Sequence, residues 1–229
     1  GGPARGQEEQ PPEGLRVPAL RLPPGSLTLL LGPTGGGKSS LCAAILGWMP
    51  RLSGEQAGFG GRVAYCPQEP WVVSGSIREN VLGFERAQGP GAEDERQLWE
   101  ALQLAGLDSD VRALPGEAAC EIGFRGVNLS GGQKARLGLA RGLALQGAGA
   151  FVLDDVLSAL DAATAERVVE AAVLGHLRGR TRLVALNSHY EALLPHADAI
   201  ILAEDGAVTA FGSAAEFQQS RFAGLLRSG

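Results

Sequence analysis

The sequence predicts an α/β domain with a largely parallel sheet. Short apolar runs that end at glycine or acidic residues alternate with segments of helical periodicity, which is typical of βαβ units. The chain has 229 residues, of which 45% are hydrophobic and 20% charged, so one sizeable packed core is expected. No run approaches the roughly 18 consecutive apolar residues that would predict a membrane-spanning helix.

Four apolar runs are predicted as core strands, and a hairpin follows them. The first strand covers 26–32 (SLTLLLG), and a helix over 39–49 follows it after a glycine-rich turn. The Asp-Gly pair within AIILAEDGAVTAF predicts a β-hairpin and therefore an antiparallel edge of the sheet. The remaining predicted strands cover 62–68, 149–155 and 181–187.

The middle of the chain reads as an inserted α-helical subdomain. Residues 76–108 have a helical pattern that the loop AQGPGAEDE interrupts, and LSGGQKARLGLARGLALQ begins as a turn and continues as a helix. Asp108 and Asp110 are interpreted as part of a solvated loop. We divide the chain into a linker or cut edge over 1–19 and one domain over 20–229, with a core over about 20–68 and 146–217 and a helical subdomain over about 69–145.

Charge and cysteine usage argue against several functions. The net charge of −5 and the pI of about 5.3 disfavour binding to DNA or RNA backbones. Cys42, Cys66 and Cys120 are far apart and form no CxxC pair, which favours free buried thiols over a disulfide or zinc framework. The chain shows no basic start followed by an apolar stretch, so no secretory signal is predicted.

GPTGGGKS (32–39) fits the phosphate-binding pattern G-x-x-x-x-G-K-[ST], between a predicted strand and a predicted helix. Glycines let backbone N–H groups close around phosphate oxygens, and the helix N-terminus adds partial positive charge. Lys38, one of only two lysines in the chain, would reach the terminal phosphates, and Ser39 would hold Mg²⁺. The predicted nucleotide-binding set of this P-loop NTPase core is Gly32, Pro33, Thr34, Gly35, Gly36, Gly37, Lys38, Ser39 and Ser40.

FVLDD (151–155) ends an apolar strand with two carboxylates. The carboxyl ends of parallel strands form the edge of the sheet where α/β folds bind ligands. Asp154 is therefore a candidate Mg²⁺ ligand, and Asp155 a candidate for orienting or deprotonating the attacking water. Taken without the phosphate-binding motif, the same pair also fits a strand-ending Asx turn.

Together, these motifs resemble the nucleotide-binding domain of an ATP-binding-cassette (ABC) transporter over nearly all of 20–217. GPTGGGKSS resembles Walker A, YCPQEPW the Q-loop, LSGGQ (129–133) the signature loop, FVLDD Walker B, SALD the D-loop and NSHY the switch-histidine motif. The resemblance implies an ABC ATPase fold with ATP and Mg²⁺ as cofactors. It implies catalytic roles for Asp155, His189 and Gln68, and metal contacts from Ser39, Gln68 and Asp154.

The resemblance also implies a partner. In this family two domains pair head-to-tail and enclose two ATP molecules, so part of each chain serves the ATP of the other. The expected partners are a second nucleotide-binding domain in the same polypeptide and the transmembrane domains of the transporter, at the cytoplasmic face of a membrane. The residues expected to contact the partner's ATP are Ser130, Gly131, Gly132, Gln133 and Asp161.

Spacing narrows the resemblance to one subfamily. Lys38 and Gln68 are 30 residues apart, and Gln68 lies within PQEPWVVSGSIRENVLGF (67–84); both features resemble first cassettes of the C subfamily, the multidrug-resistance-associated exporters. Most cassettes have Glu where this chain has Asp155. The shorter side chain ends about 1.5 Å earlier, and a misplacement of about 1 Å costs roughly 10²-fold in rate. Slow hydrolysis at this site is therefore expected.

Two further positions depart from the family pattern. Residues 1–47 contain no Phe, Trp, Tyr or His, so the aromatic residue that stacks on adenine in cassettes is missing from this stretch. Phe124 stands where the family usually has Glu, in the loop that faces the transmembrane domain.

Three functions are compatible with these motifs to different degrees. The leading hypothesis is an ATPase cassette that powers an exporter. The alternative is a nucleotide-gated regulatory domain of a C-subfamily channel or channel regulator, which needs ATP binding more than turnover. A soluble cassette ATPase acting on DNA or ribosomes is disfavoured by the acidic pI and by the C-subfamily spacing.

Overall fold

The computed structural model describes residues 14–56, 58–123, 126, 128–187 and 192–220. In chain order the strands are β1 (Leu27–Leu31), β2 (Arg62–Cys66), β3 (Gly75–Ser76), β4 (Glu121–Ile122), β5 (Ala148–Asp154), β6 (Thr181–Ala185), β7 (Ala199–Glu204) and β8 (Ala207–Phe211). The α-helices are α1 (Lys38–Ile45), α2 (Ile77–Leu82), α3 (Phe84–Ala87), α4 (Ala92–Leu104), α5 (Asp108–Arg112), α6 (Gly131–Leu143), α7 (Ala162–Val168) and α8 (Ala214–Gln219). A π-helix (Val169–His176) continues α7, and short 3₁₀ helices cover Glu117–Ala119 and Leu194–His196.

The main sheet has the strand order β2-β5-β6-β1-β7-β8. Its first five strands are parallel, and β8 pairs antiparallel with β7 at one edge. Strands β3 and β4 form a separate antiparallel pair, and helices α2 to α6 lie between β2 and β5 in the chain. This arrangement confirms the predicted α/β class, with its parallel sheet and antiparallel edge.

Strand β1 is apolar throughout because both faces of the sheet are covered. Successive side chains of a strand point to opposite faces. Accordingly, Leu27, Leu29 and Leu31 belong to one buried cluster, whereas Leu30 packs in a second cluster with Cys42 of α1. Burial on both sides explains why the strand shows no alternation of polar and apolar residues.

The turn between β7 and β8 is the predicted Asp-Gly hairpin. Asp205 and Gly206 both have positive φ, 47° and 72°, as a two-residue turn that matches the twist of its strands requires. Arg16, which falls within the segment predicted as a linker, runs beside β8 and is bridged to Ala207. Backbone hydrogen bonds join Arg16 N to Gly206 O and Val208 N to Arg16 O.

Two helix boundaries differ from the prediction. Helix α1 ends at Ile45 because Gly47 adopts a φ of 77° and its N–H bonds to Ala44 O at 2.9 Å. Helix α4 begins at Ala92, inside the stretch predicted as a loop, because acidic residues stabilise a helix N-terminus. Asp94 also accepts a hydrogen bond from Gly91 N, which closes the first turn of α4.

All three cysteines are free thiols, and Cys42 and Cys66 are buried whereas Cys120 is half-buried. Within the described ranges, no helix is both long and apolar enough to cross a bilayer.

Candidate functional site

A pocket lies at the carboxyl edge of the parallel sheet. Ala185 of β6 is in register with both Leu30 of β1 and Asp154 of β5, so the loops that follow these three strands meet. We call this the Lys38 pocket. It is lined by Thr34, Gly35, Gly37, Lys38, Ser39, Ser40, Gln68, Asp154, Asp155 and Asn187.

Glycine is required where the loop after β1 turns. A Cβ atom at Gly32, whose φ is 146°, would lie 2.0 Å from the Ala203 carbonyl oxygen. Gly37 has a φ of 102° and stands at the N-cap of α1, so the first N–H groups of that helix face the pocket. The backbone is thus shaped to surround an anion at a helix N-terminus.

Lys38 is buried and bonded to the loop that precedes it. Its Nζ donates to Gly32 O at 2.7 Å and to Pro33 O at 2.9 Å. Burial lowers the pKa of Lys38, while the carboxylates of Asp155 and Asp154 oppose that shift. The buried ammonium therefore lines the pocket beside two carboxylates. A bound anion would add to their stabilisation of its charged form.

Asp154 is 2% exposed, and its Oδ2 accepts a hydrogen bond from the Tyr65 hydroxyl at 3.2 Å. Burial raises the pKa of Asp154, and hydrogen bonds from Ser39 and Tyr65 oppose the shift. The candidate metal ligands at this place are all oxygen atoms: those of the Asp154 carboxylate, the Ser39 hydroxyl and the Gln68 amide. Such a set fits Mg²⁺, which takes one or two carboxylates and completes its shell with water and phosphate.

Asp155 adopts a left-handed conformation with a φ of 52°. Its Oδ1 accepts from Asn187 N at 3.3 Å, and its Oδ2 accepts from Gln68 Nε2 at 3.2 Å and from Asn187 Nδ2. Aspartate tolerates positive φ better than most residues. The carboxylate is thus fixed by amide groups from two other loops.

The residues predicted to serve a partner's ATP lie elsewhere. We call Ser130, Gly131, Gly132 and Gln133, together with Asp161, the signature face. Ser130 is the N-cap of α6 and Asp161 is the N-cap of α7. A Cβ atom at Gly132 would lie 3.1 Å from Ala159 O, so the two helix ends approach each other. None of these five residues lines the Lys38 pocket as described.

The other predicted residues either lie outside the described ranges, support the pocket without lining it, or were placed wrongly. His189 and Phe124 lie outside the described residues. Gly32, Pro33 and Gly36 support the Lys38 pocket through their backbones rather than lining it. The interpretation of Asp108 and Asp110 as a solvated loop is wrong, because both belong to α5.

Three residues near these sites were not assigned a role from the sequence. Asn187 and Tyr65 hydrogen-bond to the paired carboxylates, and Asp110 forms an ion pair with Arg136 of α6 at 2.7 Å. Asn187 follows a strand that neighbours β5, and this topological signal could have identified it. The contacts of Tyr65 and Asp110 depend on side-chain packing that has no such signal.

An arginine connects α6 with the segment that follows Gln68. The Arg141 guanidinium stacks over the Trp71 ring at 3.5 Å and donates to Trp71 O at 2.9 Å. It also donates to Asn80 O at 2.6 Å and to Asn80 Oδ1 at 3.1 Å. Burial lowers the pKa of Arg141 to about 10.

Comparison with known proteins agrees with this geometry. The sequence model of the family described as ABC transporter matches residues 15–158. The chain is 40% identical over 215 residues to the "Multidrug resistance protein" of Leishmania tarentolae, covering 94% of this chain and 13% of that protein. It is 38% identical over 213 residues to "ATP-binding cassette sub-family C member 3" of Rattus norvegicus, covering 91% and 13%.

A plant relative gives the same result. "ABC transporter C family member 7" of Arabidopsis thaliana is 37% identical over 202 residues, which cover 88% of this chain and 13% of that protein. The chain therefore spans about an eighth of the length of these relatives. The chain belongs to the ABC transporter family, with relatives in its C subfamily of multidrug-resistance-associated proteins.

Proposed function

We propose that this chain binds Mg-ATP in the Lys38 pocket, pairs head-to-tail with a second cassette, and powers a membrane exporter. The observation that carries the proposal is the assembly of Lys38, Gln68, Asp154 and Asp155 around one pocket at the sheet edge. The proposal includes the division into a core and a helical subdomain that the sequence predicts. It also places the chain as a first cassette at the cytoplasmic face of a membrane.

Binding would use charge and backbone donors. Lys38 would exchange its bonds to the Gly32 and Pro33 carbonyls for the terminal phosphates, to which an ammonium is attracted more strongly. The N–H groups at the start of α1, with Thr34 and Ser40 beside them, would surround the phosphate oxygens.

Ser39, Gln68 and Asp154 would hold the metal. Bound Mg²⁺ neutralises charge on the β- and γ-phosphates. Gln68 donates to Asp155 through Nε2, which leaves its amide oxygen for the metal side of the pocket. Tyr65 holds Asp154 in place through its hydroxyl.

Hydrolysis at this site would be slow because of Asp155. A carboxylate has about four lone-pair positions, and amide groups of Gln68 and Asn187 occupy three of them. Little acceptor capacity is left to orient an attacking water, and the side chain is also shorter than Glu. His189 remains in the proposal as the switch histidine on the basis of its motif alone. The site would therefore hold ATP more than it splits it.

The signature face would complete the ATP site of the partner. Ser130, Gly131, Gly132 and Gln133 begin a helix of 13 residues with exposed donors, and Asp161 lies at the neighbouring helix end. Their separation from the Lys38 pocket supports a role toward a second nucleotide. Movement of the paired cassettes would be transmitted to the transmembrane domains. Because the chain is acidic, binding to nucleic acid is not part of the proposal.

Lys38→Ala tests the binding part of the proposal. We expect Mg-ATP affinity to fall at least roughly 100-fold, because two or more charge-assisted hydrogen bonds are lost. Isothermal titration calorimetry on the chain measures the affinity directly. Lys134→Ala is the matched control, since Lys134 is the other lysine and lies in α6, away from the pocket lining. Equal affinity in both variants would contradict the site assignment.

The observation on Asp155 also favours a second function, a nucleotide-gated regulatory domain of a C-subfamily channel. Such a domain needs ATP to be held rather than split. Currents that follow ATP occupancy in the absence of substrate flux would favour this function, whereas ATP-dependent flux would favour the exporter.

A further inference from the structure

Asp110 contacts the helix that begins at the signature face. Its Oδ1 accepts a hydrogen bond from Gln133 Nε2 at 2.9 Å, and its Oδ2 accepts one from Arg136 Nη1 at 2.7 Å. Each carboxylate oxygen thus holds a different residue of α6. The side chain of Asp110 is 28% exposed and that of Arg136 15%, so the pair is partly shielded from solvent.

Gln133 transmits this constraint to Ser130. Gln133 Oε1 accepts from Ser130 N at 2.9 Å, and Ser130 Oγ accepts from Gln133 N at 3.2 Å. A carboxylate only accepts hydrogen bonds, so the amide NH₂ of Gln133 has to face Asp110 and its oxygen has to face Ser130. Asp110 therefore selects the one amide orientation that closes the capping box.

The closed capping box leaves donors available at the end of α6. The Ser130 oxygen accepts from Gln133 N, so its hydroxyl proton remains free to donate. Ser130 and Gly131 are both exposed. Arg136 balances the charge of Asp110, which would otherwise repel an approaching phosphate, and it also donates to Gly106 O at 2.5 Å.

We propose that Asp110 is a positioning residue for the signature face: through Gln133 it orients Ser130 toward the nucleotide of the partner cassette. The inference rests on the proposed function, because it adds one residue to the face that would complete the partner's site. Partial burial opposes ionisation of Asp110, but hydrogen bonds from Gln133 and Arg136 hold its pKa below the usual range. The acceptor-only carboxylate is thus the form present at neutral pH.

Asp110→Asn tests this role with little change in size. An Asn side chain donates as well as accepts, so it no longer selects the Gln133 orientation. Asp94→Asn is the matched control: Asp94 is 27% exposed and pairs with Arg86, also at 2.7 Å, but lies at the start of α4. On the chain itself, hydrogen–deuterium exchange at the Ser130 amide should accelerate at least roughly fivefold in Asp110→Asn only. Unchanged exchange would overturn the inference.

The functional readout uses the assembled pair of cassettes. We expect Asp110→Asn to lower ATP turnover at the partner's site roughly tenfold, with Mg-ATP affinity at the Lys38 pocket unchanged. Asp110→Glu, which restores an acceptor-only group, should recover part of the turnover. A purely structural role would instead shift the unfolding midpoint of Asp110→Asn and leave turnover equal to that of Asp94→Asn.

Ser130→Ala separates failure of the inference from failure of the proposed function. If Ser130→Ala lowers turnover at the partner's site and Asp110→Asn does not, the positioning role is wrong and the proposed function stands. If neither variant changes turnover, the signature face does not serve a partner, and both are overturned.

Discussion

The Lys38 pocket and the signature face differ in burial and in charge. The pocket gathers three buried charged residues, Lys38, Asp154 and Asp155, from two segments of the chain, and burial displaces the pKa values of Lys38 and Asp154. The signature face is exposed and is built from two helix ends whose caps lie within three residues of their partners. A pocket whose charges are already buried and positioned suits the binding of a ligand. An exposed, capped helix N-terminus suits the completion of a site formed by another molecule.

The two regions are nevertheless joined through α6. Arg141, near its C-terminal end, is bonded to Trp71, three residues after Gln68 of the pocket. Ser130, at its N-terminal end, belongs to the signature face. The helix therefore connects the segment beside the Lys38 pocket with the signature face.

The largest expected effect concerns chemistry in the pocket. In Asp155→Glu we expect single-turnover ATP hydrolysis at the Lys38 pocket to rise by roughly 10²-fold, because the carboxylate would extend to where a general base is useful. The measurement uses the assembled pair, with the phosphate-binding lysine of the second cassette substituted.

Asp155→Asn is the control, since it keeps the size of the side chain and its tolerance of positive φ. Rapid hydrolysis by the native chain that Asp155→Asn does not diminish would show that the pocket is not specialised for holding ATP. The contrast with the signature face would then be lost.

An intermediate effect is expected at the connection. Arg141→Lys loses the planar fork that bonds Asn80 and Trp71, which should lower the free energy of unfolding by about 2 kcal/mol. Urea unfolding measures the loss. Arg112→Lys is the control, because Arg112 also stacks on a tryptophan, Trp99 at 4.1 Å, but is exposed. Equal losses in the two variants would contradict a special connection through Arg141.

The smallest effect is expected at the signature face. Asp161 Oδ1 accepts from Thr164 N at 3.0 Å, and this hydrogen bond lowers the pKa of Asp161. The folded pKa lies below the unfolded value of about 3.9. The stabilisation is therefore complete above that value and is lost as pH falls through the folded pKa.

Unfolding midpoints of the native chain and Asp161→Asn should accordingly differ slightly at pH 7 and converge as the pH falls through the folded pKa of Asp161. Ser213→Ala is the control, because Ser213 caps α8 with an uncharged hydroxyl and its loss should not depend on pH. A gap between the native chain and Asp161→Asn that stays constant with pH would contradict the assignment.

Several features were predictable because their cause is local. The glycine-rich turn before α1 and the Asp-Gly hairpin follow from backbone preferences of a few neighbouring residues. The boundary errors were also local in origin: Gly47 ends α1 early, and the acidic run in AEDE starts α4 rather than extending a loop. The prediction that Asp110 lies in a solvated loop was wrong because its ion-pair partner, Arg136, lies on another helix, and the sequence does not show that this helix packs nearby.

The sequence by itself determined which candidate groups this protein carries: the glycine-rich turn, Lys38, the two carboxylates and the ordered motifs of an ABC cassette. Each depends on residue type and short spacing, which a linear chain records directly. Only the tertiary structure decided that Gln68 and Asn187 hold Asp155, and that Asp110 orients Gln133. Those contacts depend on side chains brought together by sheet order and helix packing, because hydrogen bonds act over about 3 Å in space, however far apart the residues are in sequence.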